Sequence, residues 1–505
     1  MTPSNRTSNG TAIGHGSVDG PDDSWRFGLV QFTRSAGILS VSSIAGLVRA
    51  VVSAKILAVA LGPEQVGVLS QLLNFSALLL TILPLGLTTG VAKMIAEASR
   101  DNVRVNVIVG SSTLIAVASG LVGAALIAPI APEISAYLTG SERYAFALLL
   151  VVASFPLSTA SGVLSYVLQG LADVRRLTVA NVATALLTLV FLVPATLLYG
   201  LNGAAASVLV GGVLQAVIFT AALWRAYGTR QWRIRGQLLS AVTSRELLGY
   251  GAVMLVGGIG IYASVLAVRT LAVHQLGAAA NGLYQVVYGL SNQYITVFMT
   301  WMGAYVFPRI AAETDNQRLR SLINSALRAN LFLMVPAMVA IISLRVVLVH
   351  IFYSSSFIKA ADYVPVQAFG DYARVLGWSF GVSLFAQGYK GGHLVAVLAQ
   401  ATAWVVLTGL TLPWLGLSAL SFGYALSYVT WPVLMYGMAS RWLDYRVDFD
   451  QAISAALGLA CLLAAALIPQ PLGLLVAPVV PLLVYLRRGG SITALLGSTM
   501  TVLRR

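Results

Sequence analysis

Apolar runs of about 20 residues, separated by short polar turns, fill the chain from about residue 35 to residue 486. That is the length a helix needs to cross the hydrocarbon core of a bilayer. Fourteen spans are predicted, at about 35–61, 66–91, 106–129, 144–169, 177–199, 203–224, 247–275, 281–307, 322–351, 363–388, 393–413, 417–440, 451–468 and 472–486. The last two are short and separated only by Pro469-Gln470-Pro471, so a re-entrant hairpin is the alternative to two crossings. Residues 1–25 are polar, lack the basic start and short apolar core of a signal peptide, and are predicted to form a disordered tail.

The basic residues between the runs are unevenly placed. Even-numbered loops and the two tails hold 23 of the 31 Lys and Arg, and odd-numbered loops hold only Arg143 and Lys359. Lys and Arg collect in cytoplasmic loops, so both termini are predicted to be cytoplasmic, in a multi-pass protein of the bacterial inner membrane. The Arg-rich stretch after residue 225 reads as a linker between two halves.

The halves repeat. Gly62 and Gly67 match Gly277 and Gly282 at an offset of about 215 residues. Lys55 matches Arg269, Lys93 to Glu97 matches Arg309 to Glu313, Gln169-Gly170 matches Gln387-Gly388, and Tyr199-Gly200 matches Leu415-Gly416. The shift covers six spans, an even number, so the repeats share one orientation and are related by an axis along the membrane normal. The predicted fold is an all-α polytopic membrane protein of about 14 transmembrane helices. Twelve form two parallel six-helix lobes around a central cationic cavity, and a C-terminal pair follows. The predicted units are the tail at 1–25, an N-lobe at 26–228, a basic linker at 229–246, a C-lobe at 247–443, and the helix pair with its tail at 444–505.

Composition narrows the function. Of 505 residues, 58% are hydrophobic and 10% charged, with a mean hydropathy of +0.84. Soluble proteins carry about 25% charged residues, so a soluble multidomain chain is excluded. The net charge of +14 is spread thinly along apolar sequence, which argues against a nucleic-acid partner. One cysteine, Cys461, and four scattered histidines provide no metal-ligand spacing. No catalytic constellation or nucleotide-binding loop is present, so an enzyme is not expected, nor is a metal or cofactor.

Charges inside the spans are the informative residues. A charge at mid-membrane costs about 2.5–3.5 kcal/mol even on insertion scales. Six basic residues fall in spans: Arg49, Lys55, Arg269, Arg328, Arg345 and Arg374, against one clear carboxylate, Asp371. Snorkelling to the interface accounts for Arg328 and Arg345. Arg49, Lys55 and Arg269 are candidates for the cavity wall. Asp371 and Arg374 lie three residues apart on one helical face, where they can pair, either fixing helix packing or serving as a gating or ion-coupling pair. An excess of Arg attracts anions, and its planar fork of donors suits phosphate oxygens. Amides and tyrosines suit hydroxyl-rich ligands, or equally interhelical hydrogen bonds. The sugar-facing candidates are Gln71, Asn74, Gln285, Tyr288 and Asn292.

Two stretches carry a family resemblance: Leu61-Gly-Pro-Glu-Gln-Val-Gly67, and Phe352-Tyr-Ser-Ser-Ser-Phe-Ile-Lys-Ala with Val366-Gln-Ala-Phe-Gly-Asp371-Tyr-Ala-Arg374. In order and at this length, residues 35–440 resemble the Wzx-type O-antigen and enterobacterial common antigen flippases of the multidrug/oligosaccharidyl-lipid/polysaccharide (MOP) exporter superfamily. The resemblance implies a MATE-like fold and a flippase that moves undecaprenyl-diphosphate-linked oligosaccharides between leaflets by alternating access. Arg49, Lys55 and Arg269 would then meet the diphosphate. Further implied partners are the lipid bilayer, a polysaccharide polymerase and a chain-length regulator. Fourteen spans depart from the twelve common in that family, which keeps open a lipid II-type flippase or a multidrug or small-solute exporter of the same superfamily.

Overall fold

In a computed structural model, residues 24–98, 101–231, 252–479 and 481–482 are described, and among them the regular structure is entirely helical. The first half comprises α1 (Ser24–Ile82), α2 (Leu87–Ala98), α3 (Asn102–Ile127), α4 (Ala131–Thr139), α5 (Ala145–Ala153), α6 (Phe155–Gly170) and α7 (Val174–Gln231). The second comprises α8 (Ala252–Leu276), α9 (Ala278–Trp301), α10 (Phe307–Ala312), α11 (Asn316–Ser343), α12 (Arg345–Phe352), α13 (Val364–Ala386), α14 (Lys390–Leu415) and α15 (Ser418–Trp442), with α16 (Phe449–Leu467) after it. The predicted tail and the linker at 229–246 lie mostly outside the described residues.

Nine helical stretches among the described residues are long and apolar enough to cross a membrane. Two of them, Ala45–Ile82 and Val174–Arg225, each hold two predicted spans. The first is broken at Gly62, with φ 68° and ψ 179°. Gly277, its repeat partner, has φ 86° and ψ 165° between α8 and α9. Only glycine enters this region of backbone space without large strain, which explains the glycine at this turn in each half. The second stretch folds back at Gly200, where a Cβ on Gly203 would lie 1.8 Å from the Ala195 carbonyl oxygen. Gly200 and its repeat partner Gly416 share positive φ, 55° and 53°.

One sequence match shifts. The left-handed residues at the corresponding turns are Ala172 and Gly388. The Gln-Gly dipeptides are therefore displaced by two residues, because backbone conformation and not dipeptide identity sets the register of the turn. Another adjustment concerns the C-terminus. α16 packs on α11 and α13 in the second half, but Leu472–Val476 is a short 3-10 helix. Where the fourteenth span was predicted to begin the chain forms this 3-10 turn, α-helical residues appear only from Val479, and residues 483–486 of that span lie outside the described residues.

Within the first half, α3, α6 and α7 pack together around Ile95, Ile108, Val163, Val167 and Phe219, all fully buried. In the second half α13 packs on α15, and α14 on α8 and α15. Leu126, Val190, Leu198, Trp414 and Leu467 point outward and are largely exposed, as an apolar surface facing lipid requires. The halves meet where α1 packs on α8 and α9 and where α4 meets α8. The hydrogen bonds joining them cluster at the Gly62–Gly277 end: Lys55 Nζ donates to the His350 carbonyl at 2.9 Å, and His274 Nε2 lies 2.8 Å from the Tyr137 carbonyl oxygen.

The hairpin at Gly200 yields a direct test. Gly203→Ala forces a methyl onto a backbone oxygen and is expected to cost about 1–3 kcal/mol, read as a lowered thermal midpoint of the purified protein in detergent. Gly46→Ala, where a Cβ meets nothing within 4 Å, is expected to leave the midpoint unchanged.

Candidate functional site

Arg269 is fully buried on α8. Its Nη1 donates to Ser70 Oγ on α1 at 3.2 Å, and its guanidinium carbon lies 4.9 Å and 5.4 Å from the ring centres of Tyr288 and Tyr284. Its Nε and Nη2 have no partner. Ion pairs such as Lys93–Glu97, Arg143–Glu64, Arg176–Asp173 and Arg320–Asp444 lie elsewhere, and none involves Arg269. A desolvated cation–π contact returns about 2 kcal/mol, while burying an ion costs several. Arg269 is thus a cation whose donors are only partly satisfied by protein.

Asp371 on α13 is also fully buried. It accepts from Ser291 Oγ at 2.6 Å, from the Tyr424 hydroxyl at 2.7 Å, and from the Tyr294 hydroxyl. The expected direct pair with Arg374 does not form. Arg374 Nη1 donates instead to the Tyr424 hydroxyl at 3.2 Å, and its guanidinium carbon lies 5.3 Å from the centre of the Tyr428 ring. Three hydroxyls from α9 and α15 engage both carboxylate oxygens, and Tyr424 sits between acid and base, donating to one and accepting from the other.

Aromatic rings join the two cations. Tyr288 stacks on Trp404 at 6.3 Å, Trp404 meets Tyr424 edge-on at 5.2 Å, and Tyr424 packs against Tyr428 at 4.6 Å. The result is a buried group of two arginines and one carboxylate, set in tyrosine and tryptophan and carrying one surplus positive charge. Such a group can hold an anion by charge and hydrogen bonding.

The remaining candidates divide. Gln71 is fully buried, and its Nε2 donates to Thr270 Oγ1 at 2.6 Å, which ties α1 to α8 and occupies one end of the amide. Asn74 is half-buried with an unpartnered Nδ2. Gln285 and Asn292 are half-buried on α9, and the Asn292 carbonyl accepts from Thr296 Oγ1 at 2.7 Å. Arg49 is exposed on α1, and Lys55 is turned to the His350 carbonyl, so neither is hydrogen-bonded to the Arg269 group. Ser291, Tyr294, Trp404, Tyr424 and Tyr428 complete the network. The available signal was Tyr424 and Tyr428, four residues apart in an apolar run, a spacing that puts both on one helical face.

Tyr424→Phe removes the hydroxyl that both Asp371 and Arg374 use. It is expected to cost about 1–3 kcal/mol, seen as a lower thermal midpoint. Tyr428→Phe keeps the ring under Arg374 and is expected to cost clearly less.

Comparison with known proteins places this geometry in context. Residues 32–313 match the family model described as polysaccharide biosynthesis protein. The lipid III flippase of Escherichia coli (strain K12) is 21% identical over 389 residues, covering 77% of this chain and 93% of that protein, and the lipid III flippase of Shigella flexneri matches equally. Among solved structures, an inward-facing multidrug resistance MATE family transporter of the MOP superfamily aligns with a TM-score of 0.71 at 14% identity, over 78% of this chain and 94% of that one. A MOP superfamily transporter from Pyrococcus furiosus, described as having reverse polarity in its binding pocket, aligns with a TM-score of 0.61 at 15% identity, over 81% and 93%. The chain belongs to the polysaccharide biosynthesis protein family and is a multi-pass membrane protein with the fold of the MOP-superfamily transporters.

Proposed function

We propose that this transporter is a flippase that moves undecaprenyl-diphosphate-linked oligosaccharide repeat units from the cytoplasmic to the periplasmic leaflet by alternating access, supplying polysaccharide assembly. The observation that carries the reading is Arg269: a fully buried guanidinium with two unpartnered donor nitrogens and no acid beside it. An anion with several oxygens supplies what those donors lack, and a diphosphate has the matching geometry. The similarity to lipid III flippases supports the same substrate class.

The placement of basic loops supports cytoplasmic termini. The Gly62–Gly277 end then faces outward, and the bonds that join the halves there keep the outer side closed in the described state. In this reading the diphosphate enters from the cytoplasm and first meets Arg49, the exposed cation on α1. The sugars pass between the halves, where Asn74, Gln285, Tyr288 and Asn292 offer polar edges and a ring face, while the prenyl chain stays in lipid. Lys55 and Arg269 act nearer the outer end. Asp371 and Arg374, coupled through Tyr424, form the gating or ion-coupling pair. Both oxygens of Asp371 already accept from hydroxyls, which disfavours the reading as an exporter of cationic drugs.

The test is mass spectrometry of lipids from a deletion strain complemented with wild-type or variant genes. Deletion is expected to accumulate undecaprenyl-diphosphate oligosaccharide at least ~10-fold, and Arg269→Ala and Arg49→Ala to fail to clear it while still inserting in the membrane. An unchanged pool in the deletion strain, or full clearance by both variants, would overturn the anion-flippase reading.

A further inference from the structure

The repeat signature Gly62…Gly67 and Gly277…Gly282 also carries a contact. A Cβ on Gly67 would lie 1.9 Å from the Ala278 carbonyl oxygen, and one on Gly282 would lie 1.9 Å from the Pro63 carbonyl oxygen. Pro63 and Ala278 are themselves repeat partners, each one residue past its turn glycine. The contact is therefore reciprocal: each half presses its glycine on the residue that follows the other half's turn. Such self-complementary contact is the mark of a two-fold axis, here the pseudo-axis of the repeat. It explains why both halves hold glycine at this position: two helix backbones touch with no side chain between them.

The polar atoms behind this seam are incompletely matched. Asn281 Nδ2 donates to the Gly67 carbonyl at 2.8 Å and lies 3.3 Å from Ser70 Oγ, which also receives Arg269. Yet Asn281 Oδ1, Gln71 Oε1, Arg269 Nε and Arg269 Nη2 are buried and unpartnered. Buried polar groups are normally paired, and each exception needs a cause. A permanently closed interface would hold this unsatisfied set at a standing cost. An interface that opens gives all four atoms access to water or ligand in its other state. The close backbone contact favours closure and the unsatisfied group favours opening, so the two states are brought near in free energy, as a switching element requires.

We propose that the Gly67–Gly282 crossing is the outer gate of the transport cycle, with Ser70 and Asn281 as its latch and Arg269 sealed behind it until the seam parts. This rests on the alternating-access reading above, but its test does not depend on the cargo. In a Cys461→Ser background, Thr270→Cys, buried next to Arg269 and outside the latch, serves as the sole cysteine, labelled in intact cells by a membrane-impermeant maleimide. Gly67→Ala and Gly282→Ala, which place a methyl against backbone that cannot yield, are expected to raise the labelling rate roughly 10-fold or more over the parent. Gly46→Ala is expected to leave it unchanged. Asn281→Ala, which adds no bulk and covers the case where a glycine variant fails to fold, is expected to raise it several-fold. Equal rates in the parent and in every seam variant that inserts and purifies as a monodisperse protein would overturn the gate. Raised labelling alongside an unchanged lipid-linked pool would uphold the gate and overturn the flippase reading instead.

Discussion

The cost of holding ionic groups away from water shapes this molecule. Hydrocarbon offers no hydrogen bonds, so each charge inside the bundle must be solvated by neighbouring side chains or exposed to a polar path. Two solutions stand side by side. Asp371 is given three hydroxyl donors, and Arg374 reaches it through the hydroxyl of Tyr424. Arg269 receives one hydroxyl and two tyrosine faces and is left short. The first group is close to self-sufficient. The second has unmet hydrogen-bonding capacity, which is why the proposed anion site is placed at Arg269 rather than at Arg374.

The internal repeat gives this chemistry its mechanics. Glycine at 62 and 277 sets the same turn in both halves, and the matched positive φ at Gly200 and Gly416 sets another. The segments of α1 and α9 that follow the first turns cross and touch through glycine. A contact made by repeat partners across a pseudo-two-fold axis is strong when both halves are in register and is lost as a unit when they rotate. Arg269 lies close to that axis, bonded across it to Ser70, so the ionic problem and the glycine contact between the halves occupy one place.

Much of this was legible in the chain. The length and spacing of apolar runs predict an all-helical membrane protein, and the glycine offset predicts equivalent turns. The isolated acid at Asp371 stands out among apolar residues. What the sequence hid depends on contacts between distant segments. The i, i+3 spacing of Asp371 and Arg374 suggests a pair, but Tyr424, some fifty residues on, takes the position between them. Gln71 reads as a sugar ligand, yet α8 brings Thr270 to its amide. The Gln-Gly match misplaces a turn by two residues, since identity of letters is weaker than identity of backbone conformation. A periodicity argument sees one helix at a time, and these differences arise between helices.

Reconstitution provides the most direct test of the central claim, that a surplus of buried cations selects a diphosphate-linked sugar. Proteoliposomes would carry fluorescent undecaprenyl-diphosphate oligosaccharide, with externally added glycosidase reporting which leaflet holds the sugar. Purified protein is expected to convert a plateau of about half cleavage to near-complete cleavage, and inorganic diphosphate to slow that conversion. Cleavage that stays at the half-way plateau with correctly folded protein, together with uptake of a cationic dye by the same vesicles, would contradict the account.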